Sequence, residues 1–159
     1  MPGWQRTRTV LNWINLTTLV GLVLASLGQA RLRRGPGGLV IAGDCRLPMP
    51  EQSCMTMGNL IICRHSADWL LDPEQAALLG HETRHATQYA FLGPLFWPLY
   101  GIASLWSWLL TGEYGARNWF EQNAGLAAGG YADAPLRGWV ARRRRRVPRV
   151  THRGSRHLR

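Results

Sequence analysis

The chain has 159 residues and a formal net charge of +10, with nine Arg and nine acids in residues 1–135 and ten Arg with no acid in residues 136–159. A neutral body with a basic tail excludes a uniformly basic, nucleic-acid-coating protein. A hydrophobic content of 46% excludes a mainly disordered chain, and about 135 residues suits one domain with one core.

Residues 10–30 (VLNWINLTTLVGLVLASLGQA) form the most membrane-like stretch. Asn12 and Asn15 interrupt the apolar run, Gln29 ends it, and Arg31, Arg33 and Arg34 follow at once. The unbroken apolar part from Leu16 to Leu27 is 12 residues, short of the roughly 20 that span a bilayer. The stretch therefore reads as a helix buried in the fold or lying at a surface, with an anchor or a signal peptide as competing readings.

Residues 37–43 (GGLVIAG) read as a short buried strand bounded by glycines, Leu47 to Pro50 as an edge or turn, and Met55 to Arg64 as the main strand. The cysteines Cys45, Cys54 and Cys63 fit neither a C-x-x-C metal pattern nor a dense disulfide framework. They read as three small buried hydrophobes, with one disulfide in an exported domain as the minority alternative.

A strong helix start follows. Asp72 suits an N-cap, Pro73 the first helical position and Gln75 the third, so a helix is expected from about 73 to 91, stopping at Gly93-Pro94. Another should follow Pro98 up to Gly112, carrying Trp106 and Trp108. A last one should span about 116 to 127 and end at Gly129-Gly130. The expected class is α+β: a small domain with a short sheet and about four helices.

His81-Glu82-Thr83-Arg84-His85 is an H-E-x-x-H motif on the best-capped helix. Residues four apart share a helix face, so His81 and His85 can reach one metal. Imidazoles with an open position suit Zn2+. Glu82, rotated about 100° from His81, stands beside the metal and can take a proton from water that zinc activates. Gln88, one turn past His85, would support the ligands or face substrate. Candidates for a third ligand are Glu121, Asp133 and, less favourably, Glu113. Glu121 could instead pair with Arg117. Tyr131, Tyr114 and Tyr100 compete as oxyanion donors, with Tyr131 preferred for its place ten residues past Glu121.

The continuation of the motif places Gln88 and Phe91 where metzincins need Gly and His, which excludes that class. Glu121 with Ala124 one turn later resembles the E-x-x-A pattern of gluzincins, in which a Glu from a later helix completes the zinc site. Gluzincins often place an Asp after that Ala as partner for the first His; Gly125 stands here, leaving Asn118, Asn123 or Asp133 to orient His81. More broadly, the chain resembles a family of short bacterial proteins described as zinc metallopeptidases. The resemblance rests on Asn15-Leu16-Thr17, Arg33-Arg34-Gly35, HETRHATQYA at 81–90, Gly93-Pro94, and Arg117-Asn118-x-Phe120-Glu121-x-x-Ala124-Gly125-Leu126-Ala127 with Gly129-Gly130-Tyr131. It covers about residues 12–132 and implies a small zincin-like fold with metal held by His81, His85 and Glu121.

From residue 136 the chain is an Arg-rich tail, with five consecutive arginines at 142–146. Such a run repels itself and stays solvated. It would attract an anionic membrane surface and carries no specific nucleic-acid recognition module. A basic C-terminus favours the cytoplasm by the positive-inside rule, with membrane association, anchoring or export as alternatives. Two functions follow from the sequence. One is a zinc-dependent peptidase acting on a peptide or protein substrate, with Glu82 as base. The other is a non-catalytic membrane-peripheral module with a structural zinc.

Overall fold

A computed structural model describes residues 3–49 and 54–139. Most of the Arg-rich tail, residues 140–159, lies outside the described residues, as does Pro50 of the expected turn. The architecture is α+β, as the sequence predicts. In chain order it comprises α1 (Gly3–Ile14), α2 (Thr17–Leu27), β1 (Arg31–Arg34), β2 (Val40–Gly43), β3 (Cys54–Met57), β4 (Leu60–Cys63), α3 (Ala67–Leu71), α4 (Ala76–Leu92), α5 (Phe96–Thr111) and α6 (Trp119–Ala124).

The sheet has the order β1-β2-β4-β3. The β1/β2 and β3/β4 pairs are antiparallel, and β2/β4 is parallel. Successive strand residues face opposite sides, and the core follows that alternation. Ile41, Ile61 and Cys63 pack with Leu70 and Ala86 on the side of α3 and α4. Ala42, Leu60 and Ile62 pack with Ala25 of α2 on the other. All four residues of β4 are buried, as expected of a central strand covered on both faces.

Three expectations are corrected. Residues 55–64 are not one strand. Gly58 adopts φ 61, and the two-residue Gly58-Asn59 turn folds the segment into the β3–β4 hairpin. The positive φ suits glycine, and a Cβ there would also lie 2.5 Å from the Thr18 amide nitrogen. The hairpin register sets Cys54 opposite Cys63, and the two form a disulfide; Cys45 alone remains a buried free thiol. The stretch 10–30 is not one helix. It breaks at Asn15-Leu16, where Leu16 has φ 64, and α1 and α2 meet at a bend of 73°.

The asparagines that interrupt the apolar run are structural. Asn12, fully buried, donates to Asn59 Oδ1 at 3.0 Å and to the Ala86 carbonyl at 2.9 Å, tying α1 to the hairpin and to α4. Asn15 donates to the Tyr89 carbonyl, and its Oδ1 accepts from the Thr17 amide, starting α2. Strand β1, which the sequence does not announce, is an edge strand with four exposed residues, its three arginines being of a kind that guards edges against pairing.

The helix bearing the motif starts as expected. Asp72 accepts from the Glu74 amide, capping a 3-10 turn over Pro73–Gln75 that feeds into α4. It ends at Gly93, φ 54. The next helix starts earlier than expected: α5 takes in Pro98 within its first turn, where a missing N–H costs nothing. α6 is shorter than expected, opened by Asn118, whose Oδ1 accepts from the Phe120 amide, and closed by Gly125 at φ 102.

Candidate metal centre

α4 crosses the sheet beside β3 and presents His81, Glu82 and His85 on its buried side. After α5 the chain returns through α6, which packs on α4 and places Glu121 against both histidines. All three side chains are almost fully buried, and their ligand atoms lie within 4.8 Å of one another. The structure therefore brings together the three residues that the sequence nominates, and the group can hold a metal ion.

Asp133 does not join them. It pairs instead with Arg117 at 3.2 Å, which also removes the reading of Glu121 as partner of Arg117. Glu113 lies past the end of α5, where its carbonyl accepts from Ser107, and takes no part.

The hydrogen bonds around the histidines fix their tautomers. His81 Nδ1 lies 3.1 Å from the Gly125 carbonyl, which can only accept, so the proton sits on Nδ1. His85 Nδ1 lies 2.8 Å from Gln88 Oε1. The Gln88 Nε2 is committed as donor to the Phe120 carbonyl and to Asn123 Oδ1, both at 3.1 Å, so its oxygen is an acceptor and His85 too is protonated on Nδ1. Both Nε2 atoms thus turn lone pairs into the same space, 3.0 Å apart. Glu121 adds Oε2 at 3.2 Å from His81 Nε2 and Oε1 at 3.6 Å from His85 Nε2. Glu121 Oε2 is buried and makes no well-aligned hydrogen bond, although His81 Nε2 lies 3.2 Å away.

Acceptors converging this way in a buried site repel unless a proton or a cation lies between them. The proton solution appears as a pKa shift. Burial acts to lower the His85 pKa, but the Glu121 hydrogen bond and charge, with the Glu82 charge, outweigh it and raise it. Glu121 is held at about 2: burial opposes its ionisation, yet the His81 and His85 hydrogen bonds, the His85 charge and the Tyr100 hydroxyl overcome that. The cation solution also fits. Ligand atoms around a tetrahedral zinc bonded at about 2.0–2.1 Å stand roughly 3.3 Å apart, close to the spacings found here.

Each group has a positioning partner. Tyr100 donates to Glu121 Oε1 at 2.5 Å. Thr56, on the edge strand β3, donates to Glu82 Oε2 at 2.5 Å and holds the carboxylate beside the triad. Burial raises the Glu82 pKa, against the charges of His85 and His81 and the Thr56 hydrogen bond. The expected orienters of His81, namely Asn118, Asn123 and Asp133, are replaced by the Gly125 carbonyl. The left-handed turn that ends α6 there aims a backbone oxygen at His81 Nδ1. Gly129 is a second glycine with a steric role: a Cβ there would sit 2.5 Å from His81 Nε2, on the metal-facing nitrogen.

A cavity of about 330 Å³ opens beside the triad, between β3 and the start of α5. Met55, Thr56, Glu82, Trp97 and Tyr131 are among its lining residues. Tyr131 therefore reaches the site, as expected. Its pKa is raised by burial and by the Glu121 charge, which keeps its hydroxyl protonated as a donor. Tyr100 lines the same cavity, with its hydroxyl donating to Glu121. Tyr114 is exposed and stacks on Trp108, away from the site. Thr56 and Gly129 were missed in the sequence. A Thr in a strand gives no signal until the hairpin register is known, and Gly129 read only as part of a helix end.

No protein-family model, curated protein or solved structure matches the chain.

Proposed function

We propose that this chain is a zinc-dependent metallopeptidase of the gluzincin type, with His81, His85 and Glu121 holding zinc, Glu82 as general base and Tyr131 as oxyanion donor. The observation that carries the proposal is the buried convergence of His81 Nε2, His85 Nε2 and the Glu121 carboxylate within 4.8 Å of one another, with each Nδ1 held by the Gly125 carbonyl or Gln88 Oε1. Two imidazoles and one carboxylate are a donor set that suits zinc with one position left open. Bound there, zinc would acidify water and polarise a carbonyl.

The remaining chemistry belongs to the chain. Glu82 accepts the proton of the attacking water and returns it to the leaving amine, so one water is consumed as the C–N bond breaks. Thr56 fixes the Glu82 carboxylate in place through Oε2. Tyr131 donates to the carbonyl oxygen as negative charge develops on it. β3 is the edge of the sheet and contributes Cys54, Met55 and Thr56 to the cavity wall, so an extended peptide could lie along it by backbone pairing. An open cavity beside the ligands favours a catalytic site over a closed structural one.

The test is cleavage of an unstructured protein by the zinc-loaded chain. Glu82→Gln should lower the rate by roughly 100-fold or more while keeping bound zinc. Full cleavage in that variant would remove Glu82 from the mechanism. Zinc binding without any cleavage by the wild type would favour the structural-zinc module.

A further inference from the structure

Two helices of this fold are inside out. On α2 the buried residues are Thr17, Thr18, Gly21 and Ala25, while Leu16, just before it, and Leu19, Val20, Val23 and Leu27 are exposed. These positions recur at three- and four-residue intervals, so they form one apolar stripe turned away from the core. α5 repeats the arrangement. Ser104 and Ser107 face inward, where Ser104 accepts from Asn118, and Ser107 donates to the Glu113 carbonyl and accepts from the Arg117 amide. Its outward residues include Trp97, Ile102, Leu105, Trp106 and Leu109. Neither helix carries a charged side chain. Both reach the core cluster of Met57, Tyr89, Phe96 and Phe120, α2 through Leu24 and α5 through Tyr100 and Ala103. Of the eight tryptophans in the chain, every one except Trp69 is exposed.

We propose that the outer faces of α2 and α5 are a docking surface for an anionic lipid bilayer, entered from one side and not crossed. Among the described residues no single helix is long and apolar enough to cross a membrane; α1 and α2 together have the length and composition, but they are bent by 73° and turn Arg8, Asn12, Thr17 and Thr18 into the fold. Exposed apolar stripes running the length of two helices mark an interaction site. Its chemistry selects lipid over protein. A protein interface presents a polar rim and about one hydrogen bond per 100–200 Å², whereas the exposed side of α2 offers a single hydroxyl, that of Ser26, and no charge. A fluid hydrocarbon layer needs neither, and exposed Trp suits its boundary with water.

Charge lies where the headgroups of such a layer would be. α2 leads directly into Arg31, Arg33 and Arg34 on exposed β1, with Arg33 paired to Asp68, and Arg46 hydrogen-bonds Gln29 just past the helix. At the end of α5, Arg137 stands 4.9 Å over the Trp108 ring, and its amide bonds the Leu110 carbonyl. The chain leaves from that point into residues 140–159, which by sequence hold nine more arginines and no acid. Arginines beside an apolar face match anionic headgroups. Trp97 lies on the docking face and also lines the cavity of the metal centre, so docking would turn the cavity mouth toward the bilayer surface. The surface itself does not depend on the catalytic reading.

The test uses the full chain with phosphatidylcholine vesicles, with and without a minority of phosphatidylglycerol, followed by flotation and tryptophan emission. Two variants each alter one exposed stripe, Val20→Ser with Val23→Ser on α2 and Ile102→Ser with Leu105→Ser on α5. Cooperative melting and an unchanged far-ultraviolet circular dichroism spectrum would show that they fold. The expected result is flotation with the vesicles, tighter with phosphatidylglycerol, a blue shift of emission, and about tenfold or greater weakening in each variant. Unchanged partition in both folded variants would overturn the proposal, as would binding that high salt abolishes completely, because the arginines alone would then account for it. A discrete oligomer that hides the tryptophans without lipid and ignores vesicles would assign the surface to a second copy and overturn it equally.

Discussion

Replacing Gln88 with Ala isolates the support of one metal ligand. Gln88 is buried and makes three hydrogen bonds, accepting from His85 Nδ1 at 2.8 Å and donating at 3.1 Å to both the Phe120 carbonyl and Asn123 Oδ1. Ala removes all three. Asn123 is exposed and can turn to water, and the Phe120 carbonyl keeps its place in the α6 ladder, but the His85 N–H is left buried without a partner. Such an orphan costs about 1–3 kcal/mol, or roughly 3–10 °C in melting temperature for a domain of this size. His85 also loses what fixes its tautomer and ring orientation, and loss of such a partner weakens metal binding about 10- to 100-fold. Zinc affinity measured by competition with a chelator, beside thermal unfolding of the metal-free protein, separates the two effects. A folded Gln88→Ala protein with wild-type zinc affinity would refute the claim that Gln88 orients His85 toward a metal.

Three further outcomes follow from the same geometry. Gly129→Ala places a methyl on the metal-facing nitrogen of His81 and should abolish stoichiometric metal binding, while far-ultraviolet circular dichroism stays unchanged; tight metal binding in this variant would contradict the position of His81. Thr56→Val removes a hydrogen bond that lowers the Glu82 pKa, so the acidic limb of the kcat/KM profile should move to higher pH, and an unmoved limb would argue against Glu82 as the base. In the metal-free protein, Glu121, depressed to about 2 from an ordinary 4.5, contributes stability above pH 4.5 that is lost as pH falls through that interval. His85, raised above an ordinary 6.5, contributes stability below pH 6.5 that is lost as pH rises through its folded value. Denaturant melts should therefore find the metal-free protein most stable between about pH 4.5 and 6.5, whereas the zinc-stabilised protein should gain stability across that range as zinc displaces protons. A metal-free optimum well above pH 7 would count against the buried histidine–carboxylate coupling.

How much the sequence revealed depended on the range of the interaction concerned. The H-E-x-x-H spacing is local, and a helix fixes where its residues point, so His81, Glu82 and His85 could be read directly. Glu121 was nominated through its likeness to an E-x-x-A pattern, with Ala124 small enough to let its helix lie close against another; the Asn118 cap that shortens the helix was not foreseen. Thr56 was not, because its contact with Glu82 depends on the register of a hairpin whose Gly58-Asn59 turn passed for the middle of a strand. The disulfide was misread for the same reason: a nine-residue spacing says nothing until that turn sets Cys54 opposite Cys63. Gly125 was read as the loss of a His81 partner, yet its own carbonyl supplies one, a role carried by backbone conformation and invisible in residue identity. The apolar stretches read as helical, although 10–30 divides at Asn15-Leu16 into two, and periodicity does not say which face turns inward. On α2 and α5 the small and polar face does.

The central claim is that His81, His85 and Glu121 form one metal site. Its most direct test is the metal content of the purified full chain after reconstitution with zinc and removal of the excess, for the wild type and for His81→Ala, His85→Ala and Glu121→Ala. The geometry predicts about one zinc per wild-type chain and little or none in each variant, with the variants still melting cooperatively. A wild type that retains no zinc, or a Glu121→Ala protein that binds it as tightly as the wild type, would contradict the assignment.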